Sequence, residues 1–225
     1  MMYRKDCITA RDGSEIYLTF YAHASLGIRW NGIQIYVDPV GEKYGIDYAN
    51  EPKADLIFIT HQHADHLDVN AVVSLKKDET SVFGSKKCKE VIDCKILSPF
   101  QQISYSNIDV KVVPAYNITE KHICYHPHSD GGLGFILFIG GTSIYVAGDT
   151  EDNADILSLK DIDIAFLPVN QPYTMTVEQV CRVVRIIKPK ILYPYHTSSK
   201  KGETDLFPLI ETLQKICDVR IRNMK

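Results

Sequence analysis

Short runs of alternating or clustered apolar residues dominate the first half of the chain. Glu15–Phe20, Ser25–Trp30 and Ile33–Asp38 carry β-branched and aromatic residues with strand character. Asn31-Gly32, between the last two, predicts a tight hairpin, because both residues tolerate positive φ. Ala54–Thr60 holds the unbroken run Leu56-Ile57-Phe58-Ile59, which reads as a strand buried on both faces and ends directly on His61. Further strands are predicted near Ser81–Phe83, Gln102–Tyr105, Ile108–Val113, Gly134–Ile139, Thr142–Ala147, Ile162–Pro168 and Lys190–Pro194.

Helical periodicity is clearest after Thr176. Thr176 and Gln179 form a capping-box pair, and Val177, Val180, Val183, Val184 and Ile187 recur on one face that should pack on a sheet. A second helix is expected over about Asp205–Ile216, with Thr204 as its cap and Pro208 in the first turn, where a missing N–H costs little. Apolar periodicity lapses over Pro39–Lys53 and Pro114–Gly134, two long loops of the kind that wall or cover a site. The pattern predicts an α/β (α+β) fold of two sheets packed face to face with helices on both outer sides, in one domain spanning residues 1–225.

Composition narrows the partners. Lys plus Arg number 25 against 28 Asp plus Glu, so there is no basic excess to draw in a nucleic-acid backbone or an anionic membrane. No apolar run approaches a bilayer span and no secretory h-region follows Arg4-Lys5, so a cytoplasmic protein acting on a small molecule is expected. The six cysteines, at 7, 88, 94, 124, 181 and 217, include no CxxC pair and read as free thiols. Cys124, in a histidine-rich loop, is the one considered as a metal ligand. Oligomeric state is not legible.

Chemistry concentrates in Thr60-His61-Gln62-His63-Ala64-Asp65-His66-Leu67-Asp68. Three imidazoles and a carboxylate within six positions are costly to satisfy structurally, and they are borderline ligands that zinc prefers. A tight turn there, locked by a helix beginning near Leu67, can aim His61 and His63 at one ion. Asp65 and His66 can then face a second about 3.5 to 4 Å away.

HxHxDH at the end of an apolar strand resembles the defining motif of the metallo-β-lactamase superfamily. Three other segments are similar to that family and occur in its order: His23-Ala24-Ser25 with Val37-Asp38-Pro39, Tyr145-Val146-Ala147-Gly148-Asp149-Thr150, and Tyr193-Pro194-Tyr195-His196-Thr197. The first resembles the branch of ascorbate-phosphate lactonases and the N-acyl-phosphatidylethanolamine phospholipase D type. The resemblance implies a four-layer αββα sandwich in which His61 and His63 bind a first metal and Asp65 and His66 a second. Asp149 would bridge the two ions and His196 would complete the second site. It also implies zinc, one or two ions, with manganese as a substitute, and catalytic roles for Asp65, His66 and Asp149.

One position departs from the pattern. Where relatives place the remaining first-site histidine after a Val-Pro-Ala strand, this chain has Val113-Pro114-Ala115-Tyr116-Asn117, and an amide is a poor zinc ligand. His122, His126 and His128 follow in the loop. Tyr125-His126-Pro127 resembles a subgroup in which Ala-Tyr-Asn precedes a His-Pro segment, so His126 is the expected replacement, and Asn117 is left beside the pocket. His23 is expected next to the metals or in the pocket wall, with a structural histidine as the alternative. Asp38 is expected either to orient a ligand histidine or to cap a turn.

The implied reaction is attack by a metal-activated hydroxide on a small ester, lactone or phosphoester, in keeping with the absence of a G-x-S-x-G nucleophile elbow. Phosphodiester cleavage is an alternative, as is a non-catalytic metal-binding or sensor protein, which the substitution at Asn117 motivates. Ser198, Ser199, Lys200 and Lys201 beside His196 read either as anion contacts or as a solvated loop.

Overall fold

A computed structural model describes residues 3–199 and 202–224. The first sheet holds β1 (Arg4–Thr9), β2 (Glu15–Phe20), β3 (Leu26–Trp30), β4 (Ile33–Val37), β5 (Leu56–Phe58), β6 (Ser81–Gly84) and β7 (Lys95–Ile96) in that spatial order. The second holds β8 (Gln102–Tyr105), β9 (Ile108–Ala115), β10 (Gly132–Ile139), β11 (Thr142–Val146), β12 (Ile164–Pro168), β13 (Ile191–Tyr195) and β16 (Asp218–Val219), again in sequence order. In each sheet the first four strands are antiparallel and the remaining three run parallel. The strand plan therefore repeats, although no sequence repeat announces it. A two-stranded ribbon, β14 (Ser198–Ser199) and β15 (Gly202–Glu203), follows β13.

Side-chain alternation sets the layers. Ile16, Leu18 and Phe20 of β2 and Leu56 and Phe58 of β5 meet Val110 and Val112 of β9 and Phe166 of β12 between the sheets. Ile57 and Ile59 point the other way, against α1 (Val69–Leu75) and α2 (Lys86–Lys89). Ala165 and Leu167 of β12 likewise face α3 (Ala154–Leu157), α4 (Val177–Ile187) and α5 (Phe207–Leu213). Strands apolar on both faces thus lie in the middle of a helix–sheet–sheet–helix stack, as the pattern predicts.

Several boundaries move. β9 and β10 extend through Ala115 and from Gly132, which shortens the second loop to residues 116–131. The helix expected from Asp205 begins at Phe207, and Thr204 does not cap it: its hydroxyl donates to the Val169 carbonyl at 2.7 Å, tying the chain to the end of β12. The helix after the histidines starts at Val69, where the Asp68 carboxylate accepts from the backbone N–H groups of Asn70 and Ala71. The capping box of α4 is formed as expected. No helix among the described residues is long and apolar enough to cross a membrane.

At the end of the sandwich remote from the histidines, buried Asp163 accepts from Arg11 at 2.8 Å, from the Ser143 backbone at 3.0 Å and from Lys190 at 2.9 Å. Burial alone would raise its carboxyl, but these donors outweigh it and hold the pKa down to about 2. A carboxylate lowered on folding stabilises the fold above its unfolded pKa, about 3.9, and the contribution is lost as pH falls toward 2. Asp163→Asn should therefore lower the thermal midpoint of the metal-free protein at pH 6, with the gap to wild type closing between pH 4 and 2. A gap independent of pH would refute this assignment.

Candidate metal centre

The site lies where the ends of β5, β11 and β13 meet the loop from 116 to 131. Polypeptide leaving a parallel strand must turn at once, so side chains there project into the space between loops rather than into the core. His66 N and Leu67 N both bond back to the His63 carbonyl, at 2.9 Å each, which folds the HxHxDH segment into one compact turn.

Three overlapping donor sets result, each with its ligand atoms within 4.8 Å of one another: His61, His63 and His126; His61, His66 and Asp149; and His23, Asp65, His66 and His196. Two donors on one tetrahedral ion at zinc–nitrogen distances stand about 3.3 Å apart. His61 Nε2 and His63 Nδ1 are 3.1 Å apart. Asp149 lies 3.2 Å from His66 Nε2, 3.3 Å from His126 Nε2 and 3.2 Å from His196 Nε2. Yet His66 Nε2, His126 Nε2, His196 Nε2 and Asp149 Oδ1 are buried without an aligned hydrogen bond. An unsatisfied buried polar atom costs about 1–3 kcal/mol, so four converging on one point make an arrangement that a cation would relieve. The donor types, imidazole and carboxylate, fit a divalent transition metal.

The electrostatics follow from burial and crowding. Burial and the neighbouring His66 ring hold the His61 imidazole well below its usual pKa. Burial also lowers His66, but the Asp149 and Asp38 carboxylates prevail and raise it well above the ordinary value. Asp149 would be raised by burial, and the surrounding rings of His196 and His66 drive it well below the carboxylate range instead.

Behind the donors stands a layer of orienting groups. Asp38, wholly buried, accepts from His66 Nδ1 at 2.7 Å and from the Thr60 backbone and hydroxyl, both at 2.7 Å. The Thr60 hydroxyl, its proton committed to Asp38, sits 3.0 Å from His61 Nδ1 and so directs His61 Nε2 toward the centre. His126 Nδ1 donates to the Tyr173 carbonyl at 3.0 Å, which leaves Nε2 facing Asp149.

Asn117 is not among the donor sets. Its amide nitrogen donates to the carbonyls of Tyr173 and His122, and its backbone N–H to the His126 carbonyl at 2.8 Å, so it braces the loop that carries His126. Of the other loop histidines, His122 pairs with Glu151 at 3.2 Å and exposed His128 packs on the Tyr116 ring. Cys124 is exposed, its thiol nearest the Lys121 carbonyl, and the alternative of a cysteine ligand is not supported. His23 Nε2 lies 3.2 Å from Asp65, and its ring centroid is 3.8 Å from that of His196.

Three contributors escape a reading by motif. Glu151, fully buried, accepts from the backbone N–H of Ile118 at 2.8 Å and Thr119 at 2.6 Å, and so starts the turn leading to His126. Asn170 donates to the Ser198 carbonyl at 2.7 Å and lies 3.3 Å from His196 Nδ1. The Tyr173 carbonyl receives both Asn117 and His126. Only Glu151 carries a signal in the sequence, a carboxylate directly after Gly-Asp-Thr.

A cleft of about 640 Å³ opens over the donors, lined also by Lys43, Tyr44, Tyr125 and Tyr173. Ser198 and Ser199 line it; Lys200 and Lys201 lie outside the described residues.

Comparison with known proteins identifies the family and the fold. The model of the β-lactamase superfamily domain matches residues 17–196. A crystal structure from Parabacteroides distasonis, assigned as a metal-dependent hydrolase, is 41% identical, covers 100% of both chains and superposes with a TM-score of 0.93. A UPF0173 metal-dependent hydrolase of Lysinibacillus sphaericus is 29% identical over 209 residues, 86% of this chain and 87% of the relative. Igni18, a metallo hydrolase from Ignicoccus hospitalis, shares the fold at 20% identity and a TM-score of 0.75, covering 93% and 95% of the two chains. With its strand plan, its HxHxDH turn and a family match over most of its length, the chain belongs to the β-lactamase superfamily domain family and has the metallo-β-lactamase fold.

Proposed function

We propose that this protein is a metal-dependent hydrolase of small esters, lactones or phosphoesters, with His61, His63 and His126 holding a first ion, Asp65, His66 and His196 a second, and Asp149 between them. The observation that carries the reading is the convergence of these side chains from both sheets, with four of their buried ligand atoms making no aligned hydrogen bond. The relatives' naming as metal-dependent hydrolases supports it. The ligand atom of His126 lies within 4.8 Å of those of His61 and His63, which supports the catalytic reading over the non-catalytic alternative that Asn117 motivates.

When bound, a divalent ion such as zinc supplies Lewis acidity and a water acidic enough to lose its proton near neutral pH. The chain's own residues do the rest. Asp149 balances positive charge at the centre from a wholly protein-lined position. Asp65 and Asp149 both line the cleft, and Asp65 is the more open of the two, with a side chain 35% exposed against 3%. Burial would raise its carboxyl, but the adjacent imidazoles of His23 and His66 outweigh burial and keep it ionised, which suits it to hold a cation at the floor of the cleft. His66, gripped at Nδ1 by Asp38, keeps its ring in one orientation through the reaction. Tyr44, Tyr125 and Tyr173 line the cleft and offer ring faces and hydroxyls to a substrate lying over the cluster.

Metal analysis of the purified protein, followed by assays with a lactone, a thioester and bis-nitrophenyl phosphate, tests the proposal. Chelation should abolish turnover of at least one substrate and added zinc or manganese should restore it. Cleavage of bis-nitrophenyl phosphate alone would shift the reading to a phosphodiesterase. Full activity in the metal-free protein would be fatal.

A further inference from the structure

His23 stands apart from the ligand set so far assigned, yet it is built like one of its members. It occupies the left-handed backbone region, with φ 56°, as does His196, with φ 50°. Such backbone is uncommon for residues other than glycine, costs energy, and persists where the surrounding structure enforces it. Here the enforcement is visible: His23 N donates to the Met224 carbonyl at 2.5 Å, and the His23 carbonyl accepts from His196 N at 3.1 Å. Two strained histidines, one from each sheet, are thus bound backbone to backbone with their rings nearly in contact. The imidazole of His23 is 7% exposed and turned into the centre.

Its reach matches that of the other donors. His23 Nε2 lies 3.2 Å from Asp65 Oδ2, the spacing found between Asp149 and the Nε2 atoms of His66 and His196. The four ligand atoms of His23, Asp65, His66 and His196 all fall within 4.8 Å of one another. A histidine that merely orients Asp65 would need only a hydrogen bond from outside the cluster, not a place within the polygon of donors.

We infer that His23 is a direct ligand of the second ion, giving that site five protein donors (three imidazoles with Asp65 and Asp149) where the first has four. This rests on the metal-centre reading above and goes beyond it by making the two sites unequal. Four donors suit tetrahedral zinc, whereas five, with room for one oxygen from solvent or substrate, suit an ion that accepts six ligands, such as manganese(II), iron(II) or cobalt(II).

Cobalt(II) substitution reads coordination number without reference to turnover, since six-coordinate cobalt absorbs weakly in the visible and four- or five-coordinate cobalt far more strongly. Wild type should bind two cobalt ions, one strongly and one weakly absorbing. His23→Asn keeps a residue that tolerates the left-handed backbone and removes the imidazole. It should raise the absorbance of the second ion severalfold and weaken its binding more than the 10–100-fold typical of losing an orienting group. In His23→Gly, added imidazole should restore the weak wild-type spectrum, which a purely structural defect would not permit, and this arm decides the matter if the asparagine variant misfolds. An unchanged ligand-field spectrum in His23→Asn, or no response to imidazole in His23→Gly, overturns the ligand role while leaving the hydrolase reading intact. Failure of wild type to bind any metal would overturn both.

Discussion

Asp149→Asn should abolish hydrolysis, lowering kcat/KM by roughly 10³-fold or more, because the change removes the one charge that faces both halves of the centre. The Asp149 carboxylate lies within 3.3 Å of the Nε2 atoms of His66, His126 and His196. An amide keeps the shape and loses the anion, so the proposed pair of ions would be held with one fewer negative charge at the centre. Lewis-acid stabilisation of a hydrolytic transition state is worth several kcal/mol, and each 1.36 kcal/mol is about tenfold in rate. Metal analysis should show fewer than two ions in the variant, with stoichiometry falling in parallel with activity. A variant that keeps both ions and more than a tenth of the rate would remove Asp149 from its proposed place.

Asp38→Ala comes next in expected effect, and unlike the first it should register chiefly as lost stability. The carboxylate is fully buried and satisfies three donors: the Thr60 N–H, the Thr60 hydroxyl and His66 Nδ1. Removing it leaves those donors stranded in a closed space, which costs about 3 kcal/mol by analogy with broken buried ion pairs. For a chain of this length that is roughly 10 °C in thermal midpoint. Metal affinity should also drop about 10–100-fold, as when an orienting carboxylate behind a ligand histidine is lost. Calorimetry and competition with a chromogenic chelator measure the two effects separately. A midpoint within 2 °C of wild type would mean that Asp38 is dispensable to the packing.

Much of this centre is legible in the chain because strand-end turns bring chemistry and sequence into register. His61, His63, Asp65 and His66 are adjacent in sequence, and a single compact turn makes them adjacent in space. Asp149 and His196 each follow an apolar strand, so strand order alone carries them to the same rim. His126 is different: it sits in a loop held by Asn117, Glu151 and the Tyr173 carbonyl, through contacts that reach as far as 56 residues along the chain and that no local pattern encodes. The same reason explains the missed elements. β7, β14, β15 and β16 are two residues long and exist only through their pairing partners. β1 is an outer strand whose polar residues dilute the apolar alternation used to find strands, and its register is set by β2 rather than by its own composition. Thr204 had the chemistry of a helix cap and spends its hydroxyl on Val169 instead.

The repeated strand plan has a mechanical consequence. Just beyond the fourth strand of one sheet stands Asp38, and just beyond the fourth strand of the other stands Asp149. They meet on opposite nitrogens of a single ring, His66, at 2.7 and 3.2 Å. That imidazole works as a feeler gauge between the two halves: a slide of one sheet past the other by an ångström opens one gap or closes the other. Repacking far from the cleft, beneath β4 or β11, would thus be transmitted to the reacting groups, where an error of that size can cost about a hundredfold in rate.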